Sequence, residues 1–382
     1  MTLAVEARDL WKTYPGGMHA VKGINLLIEP GELMVLVGAS GCGKTTTLRM
    51  VAGLERISEG QVLVGDRVVN DIHPAKRGVS LVFQNFALYP HKTAFRNIAF
   101  PLESAGVPRD EIRRRVTEVA EMLELGAHLD KTPDGLSGGQ QQRVSLGRAI
   151  VRNPDVLLLD EPLSNLDTRL RVVMRTELKR IQRAVGSTAI YVTHDQTEAM
   201  TMGDRIVVMD EGEIAQIGTP QQVYLTPASL SVARTIGSPA MNLLSGRASF
   251  SGDALALSGD GWSLDLTGSG AEVLARQAGQ AGAATVGIRP DDLDLTGSGP
   301  SLGTGTCLTA EPLGSETLYN IEIGGRLVRA LRRETSVSCA EGNVATLYLR
   351  PGARLHLFGP DGARVGGAIL SPEDATEHWL AT

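Results

Sequence analysis

The chain has 382 residues, of which 42% are hydrophobic and 21% charged, so it carries a sizeable core and is neither a disordered chain nor a disulfide miniprotein. At roughly 150 residues per domain, the length suggests two or three domains. Its 37 basic and 43 acidic residues leave a net charge of −6, which gives a nucleic-acid partner no support. The three cysteines Cys42, Cys307 and Cys339 form no C-x-x-C pair and are odd in number, so reduced thiols are expected rather than a zinc site or a disulfide framework. Uncharged apolar runs such as Leu33–Val37 and Val156–Leu159 fall far short of the ~20 residues needed to cross a bilayer. Residues Met1 to Arg8 include Glu6 and no long apolar stretch, which argues against a secretory signal and for a cytoplasmic home.

In chain order, nearly continuous apolar runs occur at Leu33–Val37, Ser80–Phe83, Val156–Leu159, Ala189–Val192 and Arg205–Met209, the pattern of strands in a parallel sheet covered on both faces. Between them Ile112, Val116, Val119, Ala120 and Leu123 recur at helical spacing, which predicts an amphipathic helix. Residues 1–236 therefore read as an α/β domain, with a helical subdomain at about 85–150. Glycine then thickens, from 21 in the first 236 residues to 14 in the 69 from 237 to 305. Short segments such as Thr285–Ile288, Leu318–Ile323 and Ala345–Leu349 alternate with turn residues, and residues 237–382 are expected to form a small all-β barrel or sandwich.

The first apolar run leads into Gly38-Ala39-Ser40-Gly41-Cys42-Gly43-Lys44-Thr45-Thr46, which satisfies G-x-x-x-x-G-K-[ST]. Glycines let a backbone wrap a phosphate, and the helix that follows offers its N–H groups to anionic oxygens. Lys44 is placed to reach the β and γ phosphates of a nucleotide and Thr45 to ligate Mg²⁺. The run Val156–Leu159 ends in Asp160 and Glu161, one carboxylate to organise Mg²⁺ and one to act as base toward water. Cys42 lies inside the loop, and its thiol has no catalytic part on this reading.

A third segment, Leu136-Ser137-Gly138-Gly139-Gln140, precedes the acidic strand end. The order of phosphate loop, LSGGQ and acidic pair resembles the ATP-binding-cassette ATPases. That resemblance implies roles for further residues. Tyr14 matches the aromatic that stacks on adenine. Gln84 matches the glutamine that meets Mg²⁺ and water, Asp167 closes the loop Ser164-Asn165-Leu166-Asp167 that bridges two cassettes, and His194 matches the switch histidine near the γ-phosphate. The implied assembly is a head-to-tail homodimer in which Ser137, Gly139 and Gln140 of one copy face ATP held by the other. Two departures stand out: Ala39 where the family commonly has proline, and Gln141 where it commonly has arginine.

Only 51 residues separate Gln84 from Leu136, too few for the coiled-coil insertion of chromosome-handling cassettes. The stretch from Gln84 to His91 looks like the surface on which importer cassettes receive two integral-membrane permease subunits, which an extracytoplasmic solute-binding protein serves in turn. Ile236–Leu243 and Val286–Asp291 resemble the maltose-type, carbohydrate-importing cassettes, glycerol-3-phosphate importers among them, with an OB-like (TOBE) extension that holds the dimer or receives regulators. The resemblance thus implies an ATPase on the cytoplasmic face of the inner membrane, driving uptake of a sugar, polyol or glycerol phosphate. A cassette for polyamine, ferric ion or an oxyanion, and a ligand-sensing regulatory ATPase, stand as alternatives.

Overall fold

The computed structural model describes residues 2–251, 254–278, 282–297 and 299–370. They divide into two compact units, Met1–Gln221 and Gln222–Thr382, of which residues 371–382 of the expected C-terminal domain lie outside the described residues. The division falls at 221/222, earlier than the change of texture at 236. Residues 224–236 belong to the second unit because Arg289 donates to the Tyr224 and Ile236 carbonyls, and Ser229 bridges to Ala363.

In the first unit a six-stranded sheet runs in the order Glu213–Gly218, Arg205–Asp210, Leu33–Val37, Thr188–Thr193, Val156–Asp160, Val79–Val82. Its pairings are parallel except for the antiparallel edge strand Glu213–Gly218. The five apolar runs predicted as strands are the five parallel strands, with Val79–Val82 at the edge, and Leu33–Val37, Val156–Asp160 and Thr188–Thr193 are buried along their whole length, as cover on both faces requires. A second, antiparallel sheet orders His19–Ile28, Val5–Thr13, Glu59–Val64 and Arg67–Val68. Helix Lys44–Ala52 brings Leu48, Met50 and Val51 into one core with Leu36, Val62, Leu158 and Val207. The helices Ala94–Ser104, Arg109–Met122 and Gly138–Ile150 occupy the stretch predicted to be helical, and Ile112, Val116, Val119 and Ala120 are buried as their spacing predicts.

The second unit is built on two antiparallel sheets. One orders Trp262–Leu266, Ala254–Gly259, Asn242–Ser251, Gly282–Ile288, Arg354–Phe358 and Arg364–Ile369; the other orders Leu293–Asp294, Val344–Leu349, Ser301–Pro312, Thr317–Ile323 and Arg326–Arg332. Their inner faces share a core around Leu257, Leu302, Tyr319 and Leu347. The predicted strands all lie here, and the unit also contains a helix, Ser269–Ala278, whose Ala271 and Leu274 join the core. The three cysteines are unpaired and buried.

One buried charge fixes the helix that follows the phosphate loop. Arg77 donates to the carbonyls of Met50 and Val51 in that helix's last turn, and to those of Asn70 and Ile72. A cation there satisfies orphan carbonyls and complements the helix dipole. Gly53 leaves it room, since a Cβ would stand 2.4 Å from the Arg77 Nε. Removing the guanidinium strands several buried carbonyls at once, so Arg77→Ala is expected to lower the unfolding free energy by about 2–4 kcal/mol, read from urea midpoints at unchanged slope.

Candidate active site

Register assembles the site. Val37 pairs with Thr193, Val192 with Asp160 and Leu159 with Val82, so the ends of four parallel strands lie in one row. From that row the chain leaves toward Gly38, His194, Glu161 and Gln84, the carboxyl edge at which open α/β sheets bind ligands.

The loop from Gly38 to Thr45 has the backbone that only glycine allows at its tightest points. Gly41 and Gly43 have φ of 83° and 100°, and a Cβ on Gly38 would lie 2.2 Å from the Met209 carbonyl oxygen. Ser40 is exposed, Thr46 half-buried, and Cys42 buried beneath the loop. Lys44, 5% exposed, donates from Nζ to the carbonyls of Gly38 at 2.9 Å and Ala39 at 2.8 Å. Helix Lys44–Ala52 has no side-chain cap on its N-terminus, which leaves its first-turn N–H groups for an anion.

Opposite the loop, Thr45 Oγ1 donates to Asp160 Oδ1 at 3.1 Å. Burial pushes the Asp160 carboxyl above its ordinary range, against the pull of the Thr45 hydrogen bond and of Arg49. Glu161 sits at φ 44° with its N–H donated to the Val192 carbonyl, a left-handed turn that throws its side chain clear of the strand. Its Oε2 accepts from Gln84 Nε2 at 3.2 Å and lies 3.1 Å from His194 Nδ1. Asn165 Nδ2 in turn holds the Gln84 carbonyl at 2.8 Å, and Ser164 Oγ the Glu161 carbonyl at 2.9 Å. Two linked clusters result: Lys44, Thr45 and Asp160 on one side, and Gln84, Glu161 and His194 on the other. Gln84, expected with Thr45 and Asp160 as a metal ligand, donates from its Nε2 to Glu161.

A hydroxyl beside a desolvated carboxylate is a hard-oxygen pair of the kind that holds Mg²⁺ when phosphate oxygens and water complete its shell. The glycine cradle, the uncapped helix N-terminus and Lys44 supply what a polyphosphate needs. Both groups fit the residues present.

The chain matches the family described as "ABC transporter" over residues 21–164 and the one described as "MalK OB fold domain" over residues 237–293. A xylose/arabinose import ATP-binding protein of Haloferax volcanii is 47% identical over 96% of this chain and 95% of its own. An sn-glycerol-3-phosphate import ATP-binding protein of Rhizobium meliloti is 49% identical over 77% of this chain and 79% of its own. The chain belongs to the ABC transporter family, among its import ATP-binding proteins. The dimeric post-hydrolysis state of an ATP-binding cassette bound to ADP and Pi is similar to it at 34% identity, with a TM-score of 0.51 over 56% of this chain and 98% of that one.

Several expected site residues of this ABC ATPase stand apart from the two clusters. Tyr14 donates to Glu55 Oε2 at 3.3 Å, with the Lys12 ammonium 4.8 Å from its ring. Ser137 N-caps helix Gly138–Ile150 in a capping box, its Oγ accepting the Gln140 N–H while Gln140 Oε1 accepts the Ser137 N–H. Gly139 is buried in the first turn, where a Cβ would stand 3.1 Å from the tip of the Leu170 side chain. Gln141, in place of the commoner arginine, donates to the Pro133 and Leu136 carbonyls. Asp167 caps helix Thr168–Val185 through the Leu170 N–H.

Sequence reasoning missed the residues that hold the chain on either side of His194. Glu198, buried, accepts from the Tyr191 and Thr193 hydroxyls at 2.7 Å each, and Asp195 caps the next helix while pairing with Arg171 at 3.5 Å. The spacing of Asp195 and Glu198 at a helix start was the available signal. Arg148 was missed as well. From the helix that Ser137 caps, it donates to the carbonyls of Phe86 at 2.9 Å and Ala87 at 2.6 Å, two residues held at φ 59° and 46°. Arg148→Ala is expected to raise amide hydrogen exchange across residues 85–92 by about tenfold or more while the strand Leu33–Val37 keeps its protection.

Proposed function

We propose that this ABC ATPase hydrolyses ATP at the edge formed by Gly38–Thr46, Gln84, Asp160, Glu161 and His194, and couples hydrolysis to uptake of a sugar, polyol or glycerol phosphate. The observation that carries the reading is the position of Glu161 Oε2 between Gln84 Nε2 and His194 Nδ1, beside the Lys44–Thr45–Asp160 cluster. The names of the relatives, sn-glycerol-3-phosphate import and xylose/arabinose import, support the solute class.

The residues act as follows. Lys44 gives up two neutral carbonyls for phosphate oxygens, a stronger charge-assisted bond, while the amides from Ser40 to Thr46 take the remaining negative charge. Thr45 and Asp160, with Gln84, would hold Mg²⁺, which when bound neutralises charge on the phosphate oxygens. Glu161 receives the proton of the attacking water, and Gln84 and His194 fix its carboxylate in place for that transfer. Tyr14 stacks on adenine. The capped helix N-terminus at Ser137, with Gly139 and Gln140, and the turn at Asp167 face the nucleotide of a second copy, which the dimeric relative supports. The loop Gln84–His91, ordered by Arg148, receives the two permease subunits at the cytoplasmic face of the membrane, and a solute-binding protein delivers from the other side. Among the described residues no helix is long and apolar enough to cross a membrane.

The Glu161→Gln variant tests the reading. Its ATP turnover number is expected to fall by about 10²–10³, as for loss of a general base, with ATP affinity within a few-fold of the parent. Hydrolysis at the parental rate would remove Glu161 from the base role.

A further inference from the structure

The second unit contains a cleft that nucleotide chemistry does not use. It opens against the paired strands Arg354–Phe358 and Arg364–Ile369, has a volume of about 170 Å³, and is lined by Thr226, Arg354, His356, Arg364 and Gly367 among others. Among the described residues its lining carries the guanidinium groups of Arg354 and Arg364 and no carboxylate. His356 is 2% exposed, and its Nδ1 has no hydrogen-bond partner. Arg364 Nε is also buried and unpartnered, and the guanidinium lies so close over Gly367 that a Cβ there would stand 2.2 Å from Nη2. Behind them Arg289, 3% exposed, leans 4.1 Å over the Tyr224 ring and donates to the Tyr224 and Ile236 carbonyls, with its Nε unpartnered.

Unpaired polar groups at this depth are costly, and a half-buried guanidinium with no acceptor costs more. The charges that face His356 are Arg364, Arg289 and Arg354; together with burial, the largest cause, they push its imidazole down to about 3. Two acids stand behind the cleft: Asp291 and Asp292 both act on Arg289, and Asp292 takes the backbone N–H of Arg354 and is pushed up to about 6 chiefly by its own burial. The field in the cleft is therefore cationic, and its empty hydrogen-bonding positions are a guanidinium fork and an imidazole nitrogen.

We propose that this cleft binds a small phosphate group, either inorganic phosphate or the head of a small phosphate ester. Guanidinium forks match tetrahedral oxyanions, and a phosphate would satisfy the orphaned nitrogens of His356 and Arg364 together. The volume suits a phosphate with a body of a few carbons and is below the 300–1,000 Å³ typical of drug-sized ligands. The assignment is independent of the solute proposed for transport.

Calorimetric titration of the full-length chain tests it, with inorganic phosphate and sn-glycerol 3-phosphate as probes and sodium chloride and glycerol as controls at matched ionic strength. Because the Gly38–Thr45 loop also attracts phosphate, the titrations use the Lys44→Ala background. Phosphate binding is expected to persist there, and to weaken tenfold or more on adding either Arg364→Gln or Arg354→Gln. The same substitutions in an otherwise parental chain are expected to leave basal ATP hydrolysis unchanged, which reports that the fold is intact. The tighter of the two probes identifies the source of the phosphate. Heats no larger than those of sodium chloride, loss of all phosphate binding in Lys44→Ala alone, or parental affinity in both arginine variants would overturn the assignment.

Discussion

The register of one parallel sheet governs this molecule. Each group in the candidate site is chemically ordinary, and what sets them to work is that Val37, Thr193, Asp160 and Val82 end their strands in one row. A slip of one residue in Val156–Asp160 would exchange its faces and carry Asp160 away from Thr45 and Glu161 away from His194. Full burial of the central strands makes such a slip costly. The core therefore protects the geometry of its own edge, and the left-handed turn at Glu161 is affordable because the Val192 carbonyl and Ser164 hold it on both sides.

The electrostatics of that edge are poised for an anion and a cation together. Lys44 rests on neutral carbonyls instead of a carboxylate, so a phosphate oxygen is a better partner than any it has. Asp160 is desolvated, with the Arg49 guanidinium 3.9 Å from its Oδ2, so its charge is only partly compensated within the folded chain. On the proposed reading the substrate completes pairings that the folded chain leaves partial. The cationic cleft of the second unit follows the same logic on a smaller scale.

What the sequence disclosed follows from how local each signal is. The phosphate loop, the acidic strand end and the buried strands are contiguous patterns in which spacing alone implies geometry, and they stand where the pattern places them. Gln84 and His194 are single residues that only a family resemblance could single out, and the structure joins them through Glu161, 77 and 33 positions away in the chain respectively. Ser137 and Asp167 were singled out by the family resemblance, and in the structure each caps the helix of its own segment, which does not reveal what it faces. Arg77, Arg148 and Glu198 were hidden because their partners are carbonyls and hydroxyls brought near by tertiary packing. Helix Ser269–Ala278 escaped notice because glycine-rich flanks made its short Ala271–Leu274 stripe look like another turn. The change of texture at 236 marks where strands begin, whereas the unit boundary is set by what Arg289 and Ala363 hold.

The central claim is that the Lys44–Thr45–Asp160 and Gln84–Glu161–His194 clusters form one nucleotide site, whose remaining face is supplied by the Ser137-capped helix of a second copy. The most direct measurement is a crystal structure of the Glu161→Gln chain with ATP and Mg²⁺. The account expects the γ-phosphate against Lys44 and the first-turn amides, the metal beside Thr45 and Asp160, and the N-terminus of the helix Gly138–Ile150 from the second copy on the opposite side. A nucleotide whose phosphates lie outside the Gly38–Thr46 loop, or whose γ-phosphate meets no helix of a second copy, would contradict it.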